Sequence, residues 1–414
     1  MPEIVQRRWE ANLAGGSRRK RQSFTFGAFV PDAIATSNQQ TSFETGALLA
    51  EADAAIARLN EDSSLLGFEA LGPLLLRSEA VASSRIEKMA VSQQNLARAL
   101  FDPRAAKGTA LTVAANVRVM ERAIAIGDRD GSIRIEDLAE IHDVLMEPDD
   151  VPGAGEFRTE QNWIGGSSDS PIDAVFIPAP HELVPALLED LVAYMNREDL
   201  PPVAQAAIAH AQMETIHPFA DGNGRVGRAL IHLVLRKRGL ATRFVPPVSI
   251  VLATRPNSYV AGLVGFREGN VDGWLASFAS ACIQAASFSL ELADAVRNLQ
   301  ATWRAKADGP RAGSAAARII ELLPARPILT AMTARAALRT SHEAARLALI
   351  SLETSGVLRK ISSGNWDRTY AATDLFDLIK AYEDRVRSRA VPISTGQGDP
   401  GGVGDSDDEH DRPF

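Results

Sequence analysis

His217-Pro218-Phe219-Ala220-Asp221-Gly222-Asn223-Gly224-Arg225-Val226-Gly227-Arg228 is the most informative stretch of this chain. The preceding helical stretch, Val203 to Thr215, must end near His217, because proline disfavours an α conformation for the residue before it. Gly222 and Gly224 allow positive φ and close backbone approach. A new helix then starts at Asn223 or Gly224. Its first N–H groups lack intrahelical partners and sit at the positive end of the helix dipole, which makes an anion site. Arg225 and Arg228 are three residues apart and share a helix face beside that site. Two guanidiniums there suit a polyphosphate. Asp221 adds a hard oxygen ligand of the kind Mg²⁺ takes when bound to phosphates. His217 adds a base that titrates near neutrality.

A glycine-rich turn before a helix is usually a cap and nothing more, and a lone histidine is usually structural. Here one histidine, one acid, three glycines and two arginines fall within a single turn and the helix start. That concentration favours chemistry over mere capping. The stretch is not a Walker A loop, and it lacks the H-E-x-x-H zinc arrangement.

On either side of it, helical spacing marks Gly46 to Asn60, Pro73 to about Met89, Lys107 to Ile126 and Ile135 to Glu147. Residues 152–180 are rich in Gly, Ser, Pro and Asp and read as loops with a small hairpin. Helices resume at His181–Asn196, Arg225–Arg238 and Asn257–Arg267, and a long one spans about 272–305. The apolar run from Trp274 to Leu292 contains Ser277, Gln284 and Glu291, so it reads as a core helix and not a membrane span. Residues 1–45 read as a flexible leader and 389–414 as a disordered acidic tail. From Ser314 the order changes to helix, helix, helix and two strands, Val357–Ile361 and Thr369–Ala372, with Ser341 capping the third helix. That order predicts a winged helix-turn-helix over 314–375.

The chain has 414 residues, 45% apolar and 23% charged, with a net charge of −8. These values exclude a wholly disordered or collagen-like chain. Cys282 is the single cysteine, which excludes an intrachain disulfide and a cysteine zinc site and suits a reducing, cytoplasmic compartment. Partners are expected in solution, with no membrane, and a homodimer is left open.

The central stretch matches every fixed position of H-P-F-x-[DE]-G-N-G-R-x-x-R and so resembles the signature of the Fic family. The segment Gly155-Glu156-Phe157-Arg158, Asn162 to Gly166 and Asp173 to Pro178 is similar to the family's flap hairpin. Ser78 to Glu87 resembles its inhibitory helix where that helix precedes the core. The resemblance covers roughly residues 25–300. It implies an all-α Fic core at 111–305 with a β-hairpin flap, behind an N-terminal helical region at 46–110 that holds the inhibitory helix at about 73–89.

The resemblance further implies transfer of AMP from ATP to a hydroxyl of a target protein, which self-modification would include. His217 would be the base, and Asp221 would hold Mg²⁺. Gly222, Asn223 and Gly224 would form the anion hole, with Arg225 on the β-phosphate and Arg228 on the γ-phosphate. Phe219 would anchor the loop. Ile164, Gly165, Val175, Phe176 and Ile177 in the flap would hold an extended target segment. Ser83 and Glu87 match the inhibitory pattern, and Glu87 would pair with Arg228. Lys88 stands where the family has Gly or Asn, so the inhibitory helix is expected to run on past Glu87. Tyr259 is a candidate for reading the adenine.

Two other readings stay open at this stage. The same residues could serve removal of AMP from a modified protein. The 314–371 segment, with 8 Lys or Arg against 4 Asp or Glu (a net of +4), could also bind DNA and make the chain a nucleotide-sensing regulator.

Overall fold

The apolar spacing of 3.6 residues that runs through most of the chain becomes fifteen α-helices in the computed structural model, which describes residues 2–10, 23–149, 153–166, 170–362 and 368–389. In chain order these begin with β1 (Glu3–Trp9), β2 (Phe24–Val30), α1 (Phe43–Glu61), α2 (Leu71–Ile86), α3 (Gln93–Phe101), α4 (Thr109–Gly127) and α5 (Ile135–Met146). Then come α6 (Val184–Met195), α7 (Pro202–Ile216), α8 (Asn223–Lys237), α9 (Val248–Leu252), α10 (Pro256–Arg267) and α11 (Val271–Lys306). The C-terminal unit holds α12 (Ala315–Leu322), β3 (Ile328–Leu329), α13 (Ala331–Leu338), α14 (His342–Thr354), β4 (Arg359–Lys360), β5 (Tyr370–Ala371) and α15 (Thr373–Arg389).

Helix α7 is the hub. Every residue from Val203 to Ile216 is buried, and α1, α6, α8, α10 and α11 pack around it. A helix buried on all sides must satisfy its polar side chains internally. Gln205 accordingly donates to the carbonyls of Tyr194 and Arg197, each at 2.9 Å, and Gln212 donates to Asp32 O at 2.9 Å. Helix α11 is long and apolar enough to cross a membrane, but Trp274, Phe278, Cys282 and Leu292 are buried among the other helices. It is a core helix, as its polar residues required.

The leader is corrected by the structure. Phe24-Thr25-Phe26-Gly27-Ala28-Phe29-Val30 alternates as a half-buried strand does, with Phe26 and Ala28 turned inward. It pairs antiparallel with β1 in register from Glu3↔Val30 to Trp9↔Phe24. Gly27 is required there, since a Cβ would come within 2.5 Å of Ile4 Cγ2. Residues 11–22 lie outside the described residues.

In the C-terminal unit Ser341 caps α14, accepting from Ala344 N at 3.1 Å, and the strands form a sheet in the order β3-β5-β4. Residues 363–367, between the two expected strands, lie outside the described residues, as does the tail from 390. Sequence reading stopped at 375, yet Leu375, Ile379, Tyr382 and Val386 are buried and form the inner stripe of α15, which returns to pack on α3, α9 and α11.

A fully buried polar junction ties α2 to α8 and α9. Ser249 donates from N and Oγ to Glu79 at 2.8 and 2.5 Å, and His232 Nε2 lies 3.0 Å from Glu79 Oε1. Glu79→Ala leaves the buried Ser249 N–H and hydroxyl without this acceptor, and should cost about 2–4 kcal/mol by urea unfolding. Glu79→Gln, which keeps one acceptor, should cost less. An equal effect of both substitutions would contradict this account.

Candidate active site

The hub helix delivers His217. Pro218 stops α7 there, and His217 takes the left-handed conformation, φ 51°, with its N–H on Met213 O at 3.0 Å. Its Nδ1 lies 3.3 Å from Glu214 O. A carbonyl only accepts, so Nδ1 carries the proton and Nε2 is left as an acceptor. Burial pushes the imidazole down to about 4, against the hydrogen bond to Glu214 and with help from the Arg158 cation. The base therefore titrates well below the near-neutral range expected from sequence.

The loop that follows is held by its carbonyls. Phe219 is fully buried and stacks on His142 at 3.9 Å and on Phe157 at 5.2 Å, as an anchor should. Arg158 donates to His217 O at 2.8 Å, Ala179 O at 2.5 Å and Glu160 O at 3.1 Å. Asn162 donates to Phe219 O at 2.9 Å and His217 O at 3.2 Å. His142 accepts Gly155 N–H at Nδ1, so its Nε2–H faces Asp221 O at 3.2 Å. His142 was not singled out from the sequence, and Arg158 and Asn162 were named only as part of the flap-like segment, not as holders of this loop. Only the tertiary fold brings them to the loop, and no spacing relates them to it.

Helix α8 begins beyond Gly222, whose φ is 76° and whose Cβ would press on Leu145 at 2.8 Å. The first helical bond runs from Val226 N to Gly222 O, leaving the amides of Asn223, Gly224 and Arg225 without helical acceptors. The Asn223 side chain is committed to the loop: Oδ1 accepts Phe219 N at 2.8 Å and Nδ2 donates to Phe219 O at 2.9 Å. What it can offer an anion is its backbone.

Arg225 and Arg228 are buried on one face, and a single carboxylate meets both. Glu87 Oε2 is 2.8 Å from Arg225 Nε, and Oε1 accepts from Arg228 Nη2 at 2.5 Å. The pairing expected with Arg228 alone is thus extended to Arg225. Ser83 accepts from Arg228 Nε at its hydroxyl, 2.8 Å, and from Nη2 at its carbonyl, 3.0 Å. Burial opposes the Arg228 charge, but Glu87, Tyr259 and Glu214 outweigh it and hold the guanidinium above its ordinary range.

Helix α2 does not run on past Glu87. Lys88 adopts φ 62° and closes a Schellman turn: its N–H donates to Arg85 O at 2.9 Å, and Met89 N–H donates to Ser84 O at 3.0 Å. A lysine occupies the left-handed position that Gly fills with less strain.

A second carboxylate, also missed from sequence, faces the same arginine. Glu214 Oε1 lies 3.9 Å from Arg228 Nη1 and has no hydrogen-bond partner among the described residues, and burial pushes its carboxyl up to about 7. Its place one helical turn before His217 was legible; its burial was not. Tyr259 is corrected as an adenine reader: it is 3% exposed, and its hydroxyl lies 2.8 Å from His210 Nε2. Asp221 is exposed and only loosely near Arg225, at 3.6 Å. Among the described residues no three His, Cys, Asp or Glu side chains gather to hold a metal. A lone exposed carboxylate at an anion site fits Mg²⁺ carried in by phosphates, because that ion keeps its waters and takes few protein ligands.

The flap is slighter than a full hairpin. Ile164 and Phe176 make one antiparallel bridge, with bonds of 2.8 and 3.2 Å, and residues 167–169 are outside the described set. Val175 is 81% exposed beside it, packed against Gly165, where a Cβ would meet Val175 Cγ2 at 2.7 Å. Ile177 turns its carbonyl the other way and accepts Phe29 N–H at 2.9 Å, so the N-terminal hairpin extends the flap. The Arg267 guanidinium covers the Phe176 ring at 3.9 Å.

Residues 132–235 match the model of the Fic/DOC family, and residues 47–125 that of the Fic/DOC family N-terminal region. One curated relative, protein adenylyltransferase fic-1 of Caenorhabditis elegans, is 34% identical over 132 residues, 31% of this chain and 23% of that protein. Another, protein adenylyltransferase Fic of Drosophila yakuba, is 36% identical over 143 residues, 34% of this chain and 26% of that protein. The chain thus spans about a quarter of the length of the curated relatives it matches. The solved structure of a Fic family protein from Desulfovibrio desulfuricans G20 aligns with a TM-score of 0.50 at 23% identity, over 81% of this chain and 97% of that one, which speaks for a shared fold.

The low value for His217 has a definite sign. Between about pH 4 and 6.5 the unfolded chain binds a proton there that the folded chain does not, so this residue's contribution to stability rises with pH and is lost as pH falls toward 4. NMR titration of the imidazole should keep it neutral down to about pH 4; a midpoint near 6.5 would contradict its burial.

Proposed function

This chain belongs to the Fic/DOC family, and we propose that it transfers the AMP moiety of ATP to a hydroxyl of a protein target. The observation that carries this reading is the Glu87 carboxylate lying between Arg225 and Arg228 at the start of α8, beside a neutral imidazole. A carboxylate clasped by two buried guanidiniums occupies a place built for anionic oxygens.

In the proposed reaction the target oxygen attacks the α-phosphorus, and the bond from that phosphorus to the bridging oxygen toward the β-phosphorus breaks. The hydroxyl proton passes to His217 Nε2, and pyrophosphate leaves. His217 suits this role because its Nδ1–H is fixed on Glu214 O and its free nitrogen is unprotonated near pH 7. The free amides of Asn223, Gly224 and Arg225 face the phosphates, and Arg225 and Arg228 take the β- and γ-phosphate oxygens. Asp221 would hold Mg²⁺, which supplies charge neutralisation along the triphosphate. Catalysis of this kind rests on positioning and charge more than on covalent help.

The same contact argues for autoinhibition. With Glu87 on both arginines the terminal phosphates of ATP find neither guanidinium free to meet them. Ser83 braces Arg228 in the blocked position. The target segment is read as extended, laid along the flap beside Gly165 and Val175, since Asn162 ties that strand to the His217 loop.

Incubation with ATP and Mg²⁺, followed by intact mass measurement of this protein and of added proteins, tests the reading. Glu87→Gly should raise AMP addition about tenfold or more by freeing both arginines. His217→Ala in that background should lower transfer by about 10²–10⁴ while ATP affinity stays nearly unchanged. Arg228→Ala should not mimic Glu87→Gly, because the phosphate contact goes with the partner. No AMP adduct on any protein from Glu87→Gly would overturn the proposal.

A further inference from the structure

We infer that Glu383, in the C-terminal unit, is a positioning residue for Glu87: it clamps the turn that presents the inhibitory carboxylate, so that the C-terminal unit acts as the latch of the site. The inference rests on the reading of Glu87 given above and extends it to regulation.

Glu383 sits on α15 with its side chain only 10% exposed, and its two oxygens serve opposite sides of one turn. Oε2 accepts from Arg85 Nη2 at 2.8 Å, two residues before Glu87. Oε1 accepts from Gln93 Nε2 at 2.8 Å, at the start of α3. Between these two anchors run Glu87, Lys88 and Met89, whose amides close the end of α2 on Ser84 O and Arg85 O.

Helix α15 cannot yield freely. Ile379, Tyr382 and Val386 are buried, so Glu383 is carried by a packed helix. A second link grips the same helix α2 further back: Arg77, itself buried, donates to Pro324 O and Ala325 O at 2.5 Å each. The middle of α2 is held independently by the Glu79 junction with α8 and α9. What the C-terminal unit adds is therefore control of the helix end, where Glu87 leaves the helix for the arginines. A left-handed lysine makes that end harder to form than a glycine would, and an external clamp offsets the strain. A shift of α15 would release the turn and uncover Arg225 and Arg228.

The test uses the full chain in four forms, Glu383→Ala, Glu383→Gln, Glu87→Gly and Lys306→Ala. The last cuts an exposed contact between α11 and Asp374 of α15, about two and a half helical turns before Glu383. Calorimetric titration with ATP and Mg²⁺ reports the arginines, and amide hydrogen exchange of residues 87–92 reports the turn. Glu383→Ala should speed exchange in the turn and tighten ATP binding, each by about threefold to tenfold, as loss of one charged clamp implies. Glu383→Gln, whose amide oxygen still accepts from one partner, should give a smaller change in both. Lys306→Ala should change neither. Native exchange and native ATP affinity in Glu383→Ala, with tighter ATP in Glu87→Gly, would overturn the latch and leave the reading of the site standing. Unchanged ATP affinity in Glu87→Gly would remove the inhibitory role of Glu87, and the latch with it.

Discussion

A buried guanidinium needs an anion beside it, and Arg228 is 2% exposed. Leaving such a charge unpaired inside a protein costs several kcal/mol, far more than an exposed pair gains. The site is organised around that constraint. Ser83 supplies neutral oxygens, Glu214 stands at 3.9 Å, and Glu87 closes the shell at 2.5 Å from a half-buried position. Of these Glu87 is the most exposed and sits at the cap of its helix, next to a turn, and so is the one able to leave. Whatever replaces it must bring negative oxygens of its own. A triphosphate does so, and under the proposed function inhibition and substrate binding are two solutions of one electrostatic requirement.

The catalytic loop is secured in a different way. Beside the buried Phe219 ring, its carbonyls are the points of attachment: those of His217, Phe219 and Asp221 face Arg158, Asn162 and His142. Holding the loop in this way leaves His217 and Asp221 to the proposed chemistry. Two histidines there are neutral for related reasons. Burial lowers both His142 and His217, but His142 has both ring nitrogens committed to backbone partners, whereas His217 commits only Nδ1. A general base needs both conditions, a free lone pair and a fixed ring.

Two segments outside the helical core reach into this site. The N-terminal hairpin joins the flap through Phe29 and Ile177, and the C-terminal unit grips helix α2 and the start of α3 through Arg77, Arg85 and Gln93. One sits on the side where a target would lie and the other behind the inhibitory carboxylate. In the proposed function the core supplies the reaction centre, while access to it and release of Glu87 would be tied to parts of the chain distant in sequence.

Local features were legible in the amino-acid sequence: where α7 stops, where α8 starts, the positive φ of Gly222, and which residues share the anion-facing turn of α8. Pro218, Gly222 and the three-residue spacing of Arg225 and Arg228 act over one or two helical turns, so local sterics and periodicity suffice. The pairing of Glu87 with Arg228 was legible too, though only through resemblance, whereas the contacts of Ser83 with Arg228 were not. Long-range packing accounts for the rest. Lys88 ends its helix because the packed turn outweighs its weak left-handed preference. Glu87 meets Arg225 as well as Arg228 because α2 docks over the start of α8. Tyr259 turns inward to His210, the Phe24–Val30 run finds its partner strand, and α15 brings Glu383 to a turn nearly three hundred residues earlier. Each of these depends on burial and on contacts between distant segments, where the free energy belongs to the assembled core and has no counterpart in any short stretch of chain.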